Sequence, residues 1–216
     1  MKRVFGMFEA VFDALYLITA LILGSILILT ESNNHIRLLA GLMAIVLACG
    51  DAFHLVPRIM VIITHQEQKL RKALGIGKQI TSITMTVFYL FLWQIGRMIF
   101  SPQLSNFFTY LIYFLAAIRI LLCLLPQNKW LDRYPPIKWG IWRNIPFFLM
   151  GAVVALLYFL NRNHAQGLGF MWLAIVLSFA FYLPVVLWSN KNPKIGMLML
   201  PKTCAYLWML AMCLSL

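Results

Sequence analysis

Seven apolar runs, each long enough to cross a lipid bilayer, constrain this chain more than any other feature of its sequence. A membrane-spanning helix needs about 20 apolar residues. The runs occupy residues 5–29, 38–63, 79–100, 104–125, 143–160, 168–189 and 196–216. Because backbone groups in lipid must pair within the protein, each run is predicted to be a helix. The sequence therefore predicts an all-α, polytopic membrane helix bundle with about seven transmembrane helices, forming one domain over residues 1–216.

The composition excludes an ordinary soluble domain. Hydrophobic residues make up 62% of the chain and charged residues 11%, against roughly 45–50% and about 25% in soluble proteins. The formal net charge of +12 sits mostly in short loops between apolar runs. This distribution favours contact with anionic lipid headgroups and membrane lipids as partners, and nucleic acid is not expected as a partner.

The placement of the basic residues predicts the orientation in the membrane. The loops after the first, third and fifth runs carry only Arg37 and Arg162. The N-terminus and the remaining loops carry Lys2, Arg3, Lys69, Arg71, Lys72, Lys78, Lys129, Arg133, Lys138, Lys191 and Lys194. The positive-inside rule places these basic segments and the N-terminus in the cytoplasm. We expect a multi-pass protein of a bacterial cytoplasmic (inner) membrane.

Ionisable residues inside the apolar runs are the strongest functional signal, because each costs at least about 2.5–3.5 kcal/mol at the membrane centre. Glu9, Asp13 and Tyr16 share one face of the first helix, by their spacing of four and three residues. Asp51 and His54 share a face of the second helix with Arg58. Further polar candidates on later helices are Ser82, Thr86, Tyr89, Arg119, Arg143, Asn144, Ser178, Tyr182, Lys202 and Tyr206.

Helix rise places many of these groups at overlapping depths. Asp51 lies about 18 Å and His54 about 14 Å from the cytoplasmic end of their helix. We predict a polar cavity open to the cytoplasm if the faces converge. Asp51 and His54, with Glu9 or Asp13, are the predicted catalytic acid–base groups. The predicted substrate-binding residues are Arg58, Arg119 and Lys202, with Ser82, Thr86, Tyr89, Arg143, Asn144 and Tyr206.

Two other interpretations remain open for these charges. Mutual pairing of acids and bases would make a purely structural ion-pair network. Alternatively, Glu9, Arg58, Arg143 and Lys202 are shallow enough for their side chains to reach the headgroups separately. Asp51 is too deep and its side chain too short for that.

Metal and cofactor motifs are missing from the sequence. The cysteines at 49, 123, 204 and 213 lie singly in apolar runs, without a C-x-x-C pair, so neither a metal site nor a disulfide is expected. A lysine in the last of seven helices suggests a retinal protein. The shallow position of Lys202 and the acid-free third helix argue against that assignment. No cofactor is predicted.

The segment Ala48-Cys49-Gly50-Asp51-Ala52-Phe53-His54-Leu55 resembles the Gly-Asp region of the lysoplasmalogenase (YhhN-like) membrane family. Members of that family are small multi-pass proteins that hydrolyse the vinyl-ether bond of lysoplasmalogens through intramembrane aspartates. The resemblance implies that Asp51 is a catalytic acid. Glu9 or Asp13 would then supply a second carboxylate.

The leading functional hypothesis is therefore a membrane enzyme acting on a lipid or lysophospholipid from the cytoplasmic side. A second is a small-solute or proton-coupled transporter that uses the same cavity, with Pro146, Pro184 and Pro201 as helix kinks. A third is a membrane subunit without chemistry of its own. The ligand of the first two is a lysolipid or a small anion, and the oligomeric state stays open.

Overall fold

The computed structural model describes residues 2–30, 34–100, 106–164, 167–189 and 192–216, with the side chains of residues 2–5 and 193 left aside. In these residues there are seven α-helices and no strand. They are α1 Lys2–Leu29, α2 His35–Thr64, α3 Glu67–Phe100, α4 Asn106–Leu124, α5 Ile137–Leu160, α6 Met171–Trp188 and α7 Met199–Met212. Short 3-10 helices cover Pro126–Asn128, Pro193–Leu198 and Cys213–Ser215.

The prediction of a helical membrane bundle is confirmed. Within the described residues, seven helical segments are long and apolar enough to cross a bilayer. The last of them, Lys194–Ser215, consists of α7 and the two 3-10 helices that flank it. Large apolar side chains such as Leu15, Phe53, Leu121 and Leu156 are exposed on the outside of the bundle. An apolar exterior is the surface expected for helices that face lipid.

Several helices are longer than their apolar runs. Helix α3 begins at Glu67 rather than at residue 79, and α5 begins at Ile137 rather than at residue 143. A helix needs an apolar face only where lipid surrounds it, so apolar run length misses the charged turns beyond. The predicted start of the fourth helix at residue 104 and the residue Lys191 lie outside the described residues.

Two glycines lie in the part of α3 between Glu67 and residue 79, where other backbone segments approach this helix closely. Gly75 and Gly77 both lie in the helical turns of α3 that precede residue 79. A Cβ atom on Gly75 would lie 2.6 Å from the carbonyl oxygen of Trp130, and one on Gly77 would overlap the backbone of Phe53. The missing side chains therefore allow backbone segments to approach closely.

The helices form a ring that the sequence could not predict. Helix α2 packs between α1 and α3, α3 also contacts α4 and α5, and α5, α6 and α7 follow in order. Helix α7 then returns to α1, so that α1, α2, α3, α5, α6 and α7 close the ring. Helix α4 packs against α3 and α5.

Aromatic side chains fill the middle of this ring. The ring of Phe88 on α3 lies edge-on to Tyr206 on α7, with centroids 5.6 Å apart. Its neighbour Tyr89 makes the same kind of contact with Phe147 on α5, at 5.1 Å. All four side chains are at most 2% exposed. Edge-to-face packing of this kind joins helices that are distant in the chain.

Because the helices alternate in direction, one end of the bundle gathers the starts of α1, α3, α5 and α7 with the ends of α2, α4 and α6. We call this end, which carries the basic loops, the basic end. At this end only His65 and Gln66 separate α2 from α3. His65 adopts a left-handed conformation with φ of 58° and donates its backbone N–H to Val61.

Candidate functional site

The deepest carboxylate, Asp51, is held by a tyrosine from the neighbouring helix. The hydroxyl of Tyr16 on α1 donates to Oδ2 of Asp51 at 2.7 Å. Tyr16 is 1% exposed, while Asp51 is half-buried. The contact arises because α1 and α2 pack together along the faces that carry these residues. The predicted convergence of these two faces is present in the structure.

Two more carboxylates lie beside this contact. Asp13 is 5% exposed and lies close enough to interact electrostatically with Glu9, Arg58 and Asp51. Glu9 forms an ion pair with Arg58, whose side chain is 47% exposed. Arg58 is therefore partly exposed and has an acidic partner. We call Glu9, Asp13 and Asp51 the acidic cluster.

His54 lies one helical turn beyond Asp51 but does not pair with it. No hydrogen bond joins the two side chains, and in the described part of the chain Nδ1 of His54 is buried without a partner. The imidazole lies instead near the cationic groups of Arg58, Lys78 and Lys202. The two predicted acid–base residues thus face different neighbours in this state of the protein.

Arg119 on α4 lies inside the protein with its charge uncompensated. Its side chain is 2% exposed, and the guanidinium carbon stands 3.2 Å from the centroid of the Phe147 ring. Among the described residues, no hydrogen-bond partner reaches its Nε or Nη1 atoms. Such a donor normally has a partner when buried, so the two free N–H groups point to a missing acceptor.

Lys202 supplies a second buried cation from the first turn of α7. It is 7% exposed, and its Nζ atom lies 4.6 Å from the ring centroid of Tyr182 and 5.0 Å from that of Tyr206. It lies close enough to interact electrostatically with both Arg119 and Asp51. We call Arg119 and Lys202 the basic pair.

The basic pair is not neutralised by an ion pair. Within the residues that the structure describes, the ion pairs shorter than 4.0 Å are Arg58–Glu9 and Arg133–Glu67. The ion-pair network expected as a structural alternative is thus absent around Arg119 and Lys202. Both side chains are buried inside the bundle, at 2% and 7% exposed. Cation–π contacts offset only part of the cost of burial.

Other polar side chains from the predicted set surround the basic pair. Asn144 is 2% exposed, donates to the Gly140 carbonyl at 2.8 Å, and accepts a 3.3 Å hydrogen bond from Tyr182. The hydroxyls of Tyr89 and Ser178 lie 3.1 Å apart. Helices α3, α5 and α6 therefore all contribute polar groups to the interior.

Ser82 and Thr86 have a different environment. The Ser82 hydroxyl donates to the carbonyl of Lys78 at 2.8 Å, and the Thr86 hydroxyl to the carbonyl of Ser82 at 3.1 Å. Hydroxyls commonly satisfy themselves in this way within membrane helices. Carbonyls of α3 itself thus accept hydrogen bonds from both hydroxyls. Tyr89, further along α3, is buried inside the bundle.

Arg143, the last of the predicted cations, lies at the basic end. Its Nη1 donates to Oδ1 of Asn128 at 2.9 Å, and its guanidinium carbon lies 4.2 Å from the ring centroid of Trp130. Neither partner was a candidate site residue in the sequence. Trp130 lies in the connection between α4 and α5, and only the path of this connection shows its contact with Arg143.

Comparisons with protein-family models, curated proteins and solved structures find no match for this chain. The resemblance of the Gly50–Asp51 segment to lysoplasmalogenases stays a prediction from sequence. Among the described residues, no group of three or more His, Cys, Asp or Glu side chains is arranged to hold a metal ion. The acidic cluster and the basic pair are therefore the features of the molecule that point to a function.

Proposed function

We propose that this protein is a membrane enzyme that binds the anionic headgroup of a lipid or lysophospholipid inside its helix bundle and hydrolyses that lipid. The observation that carries the proposal is the basic pair. Arg119 and Lys202 are both buried, and neither has a carboxylate within ion-pair distance among the described residues. A bound anion would satisfy both cations.

The chemistry of the two cations suits a phosphate-bearing headgroup. A guanidinium presents several N–H donors in one plane and an ammonium is a compact charge, and both bind phosphate oxygens by charge-assisted hydrogen bonds. Nε and Nη1 of Arg119 are free to donate.

The acidic cluster would supply the acid–base chemistry. Asp51 lies close enough to Lys202 to interact with it electrostatically, so a headgroup on the basic pair would bring its attached chain near the carboxylate. Hydrolysis adds one water molecule across the cleaved bond, with one proton transferred to the leaving group and one removed from water. Asp51 is the proposed group for one transfer, and His54 or Asp13 for the other.

The basic end would face the cytoplasm. Arg71, Lys72, Lys129, Arg133 and Lys138 all belong to this end, and the positive-inside rule places such segments on the cytoplasmic side. The ligand would then come from the inner leaflet or from the cytoplasm of a bacterial cell.

A transporter is the second candidate, because three helices that line the site contain internal prolines. Pro57 lies three residues after His54 in α2. Pro146 lies two residues after Asn144 in α5, and Pro184 lies two residues after Tyr182 in α6. Such prolines free backbone groups and allow helices to bend. Pro201, also expected to be a kink, lies in the first turn of α7, where proline needs no N–H bond.

Mass spectrometry of lipids tests the enzyme. Purified protein in nanodiscs is incubated with lysophospholipids carrying acyl, alkyl and alkenyl chains. We expect one class to be cleaved, Asp51→Asn and Arg119→Met to abolish cleavage, and Arg162→Gln, at the opposite end, to leave it unchanged. Absence of any product from the wild-type protein across this panel would refute the hydrolase.

Sealed proteoliposomes test the transporter. Uptake of a radiolabelled anion or a proton flux, lost in Lys202→Met and retained in Arg162→Gln, would support transport in place of hydrolysis. Flux that is equal in protein-free vesicles and in protein-containing vesicles would exclude this second candidate.

A further inference from the structure

The segment Pro126–Trp130 follows α4 at the basic end and contacts Arg143, and we call this segment the cover. Asn128 is completely buried, and its Nδ2 atom donates to the carbonyls of Leu122 and Leu125 at 2.6 and 2.9 Å. Leu122 lies in the last turn of α4 and Leu125 follows directly after it, and carbonyls at this end of a helix lack partners within the helix. The cover is therefore a helix cap that is folded over the bundle.

The cover is fastened to α3 as well as to α4. Nε1 of Trp130 donates to the carbonyl of Cys123 at 3.0 Å, and Nε2 of Gln79 donates to the same oxygen at 3.2 Å. The close approach at Gly75 brings α3 against the Trp130 backbone. Three helical elements thus meet where α4 ends, and the side chain of Trp130 lies over that junction.

A row of cations leads from the cover to the basic pair. Lys78 and Arg143 lie within electrostatic range of each other, as do Arg143 and Arg119, and Arg119 and Lys202. The Cys123 thiol is buried in this row and interacts electrostatically with both Arg119 and Arg143. Within the described residues, none of these four cations forms an ion pair shorter than 4.0 Å.

We propose that this row is the route by which a phosphate-type anion reaches the basic pair, with Arg143 selecting for negative charge beneath the cover and Trp130 closing the opening. The inference rests on the proposed function, because the route ends at the same two cations. It adds the path that the ligand takes and the residues that select a negatively charged ligand. A field of one sign in poorly screened surroundings attracts counter-charge and accelerates its arrival.

Cys123 is a native reporter for this route. The protein in nanodiscs is treated with two membrane-impermeant methanethiosulfonates of similar size, one anionic and one cationic, and labelling of Cys123 is quantified by peptide mass spectrometry. We expect the anionic reagent to react about tenfold faster or more, as for electrostatically steered association. Equal rates, or faster labelling by the cationic reagent, would overturn the proposal.

Variants separate the roles of charge and cover. Arg143→Gln should reduce the charge preference about threefold or more, whereas Lys138→Gln, which removes an exposed charge from the same helix, should leave it unchanged. Trp130→Phe removes the hydrogen bond to Cys123 but keeps the ring under Arg143, and Trp130→Ala removes both. Labelling should accelerate in the order wild type, Phe, Ala. Unchanged labelling in both variants would contradict the closing role of Trp130.

Protection experiments identify the source of the anion. Inorganic phosphate and lysophosphatidylglycerol are added separately before labelling. Protection by phosphate indicates a free anion, and protection by the lysolipid alone indicates a headgroup. Both outcomes support the route, and protection by neither contradicts it.

The route and the hydrolase can fail independently. A charge preference at Cys123 without hydrolysis of any lysophospholipid would refute the enzyme and leave the route. Hydrolysis without a charge preference would refute the route, since the substrate would then reach the site sideways from the bilayer.

Discussion

The acidic cluster and the basic pair occupy the same half of the bundle, but they differ in whether their charged groups have polar partners. Glu9 pairs with Arg58 at the bundle edge, and Asp51 accepts a hydrogen bond from Tyr16. Arg119 and Lys202 lie against aromatic rings, without ion pairs among the described residues. A partnered charge can be purely structural, whereas an unpartnered buried charge indicates a ligand or a changing state.

Replacement of Arg119 should give the largest effect. Because its Nε and Nη1 groups donate to no other described residue, Arg119→Met should reduce ligand affinity by about 100-fold or more, for two lost charge-assisted bonds. The thermal unfolding temperature in detergent should stay the same or rise, since an uncompensated buried charge is removed.

The matched control for Arg119 is Arg97 on α3, whose Nη1 donates to Thr109 at 2.8 Å. Arg97→Met should lower the unfolding temperature and leave ligand affinity unchanged. If Arg119→Met were the less stable of the two variants, Arg119 would be structural and the contrast between the clusters would be wrong.

Loss of the Tyr16 hydroxyl should have an intermediate effect. Tyr16→Phe removes the donor to Asp51 and should destabilise the protein by about 1–3 kcal/mol, because it leaves a carboxylate oxygen without its partner. Activity should change as well, since Asp51 is freed to rotate. Thermal unfolding and lipid hydrolysis are measured on the same preparation.

Tyr158 provides the comparison for Tyr16. Its buried hydroxyl donates to the Leu92 carbonyl at 2.9 Å, away from both clusters. Tyr158→Phe should reduce stability by a similar amount and leave activity intact. Equal activity losses in the two variants would mean that Tyr16 acts through general stability alone.

The smallest effect is expected at the edge of the acidic cluster. Arg58→Gln breaks the ion pair with Glu9, but the Arg58 side chain is 47% exposed, and exposed pairs contribute about 0–1 kcal/mol. The unfolding temperature and the hydrolysis rate should both stay close to those of the wild type. A large loss of activity would show that Arg58 belongs to the functional site, as the sequence analysis predicted.

Much of the candidate site could be predicted from spacing. Glu9, Asp13 and Tyr16 share a helix face, and so do Asp51 and His54, so their presence on the inside follows from the helix period and the cost of charge in lipid. The partners could not be predicted, because they depend on which helices are neighbours. Tyr16 and Asp51 are 35 residues apart in the chain, and Asn128 and Trp130 reach Arg143 through an irregular connection.

The sequence by itself determined that this chain is a bundle of seven membrane-spanning helices, because the thickness of the bilayer sets the length of each apolar run. Only the tertiary structure decided which charges are paired. That choice depends on helix neighbours and side-chain packing, which place Arg58 beside Glu9 while Arg119 meets an aromatic ring. Two arginines with the same intrinsic chemistry thus have different environments, and of the two only Arg119 has no ion-pair partner among the described residues.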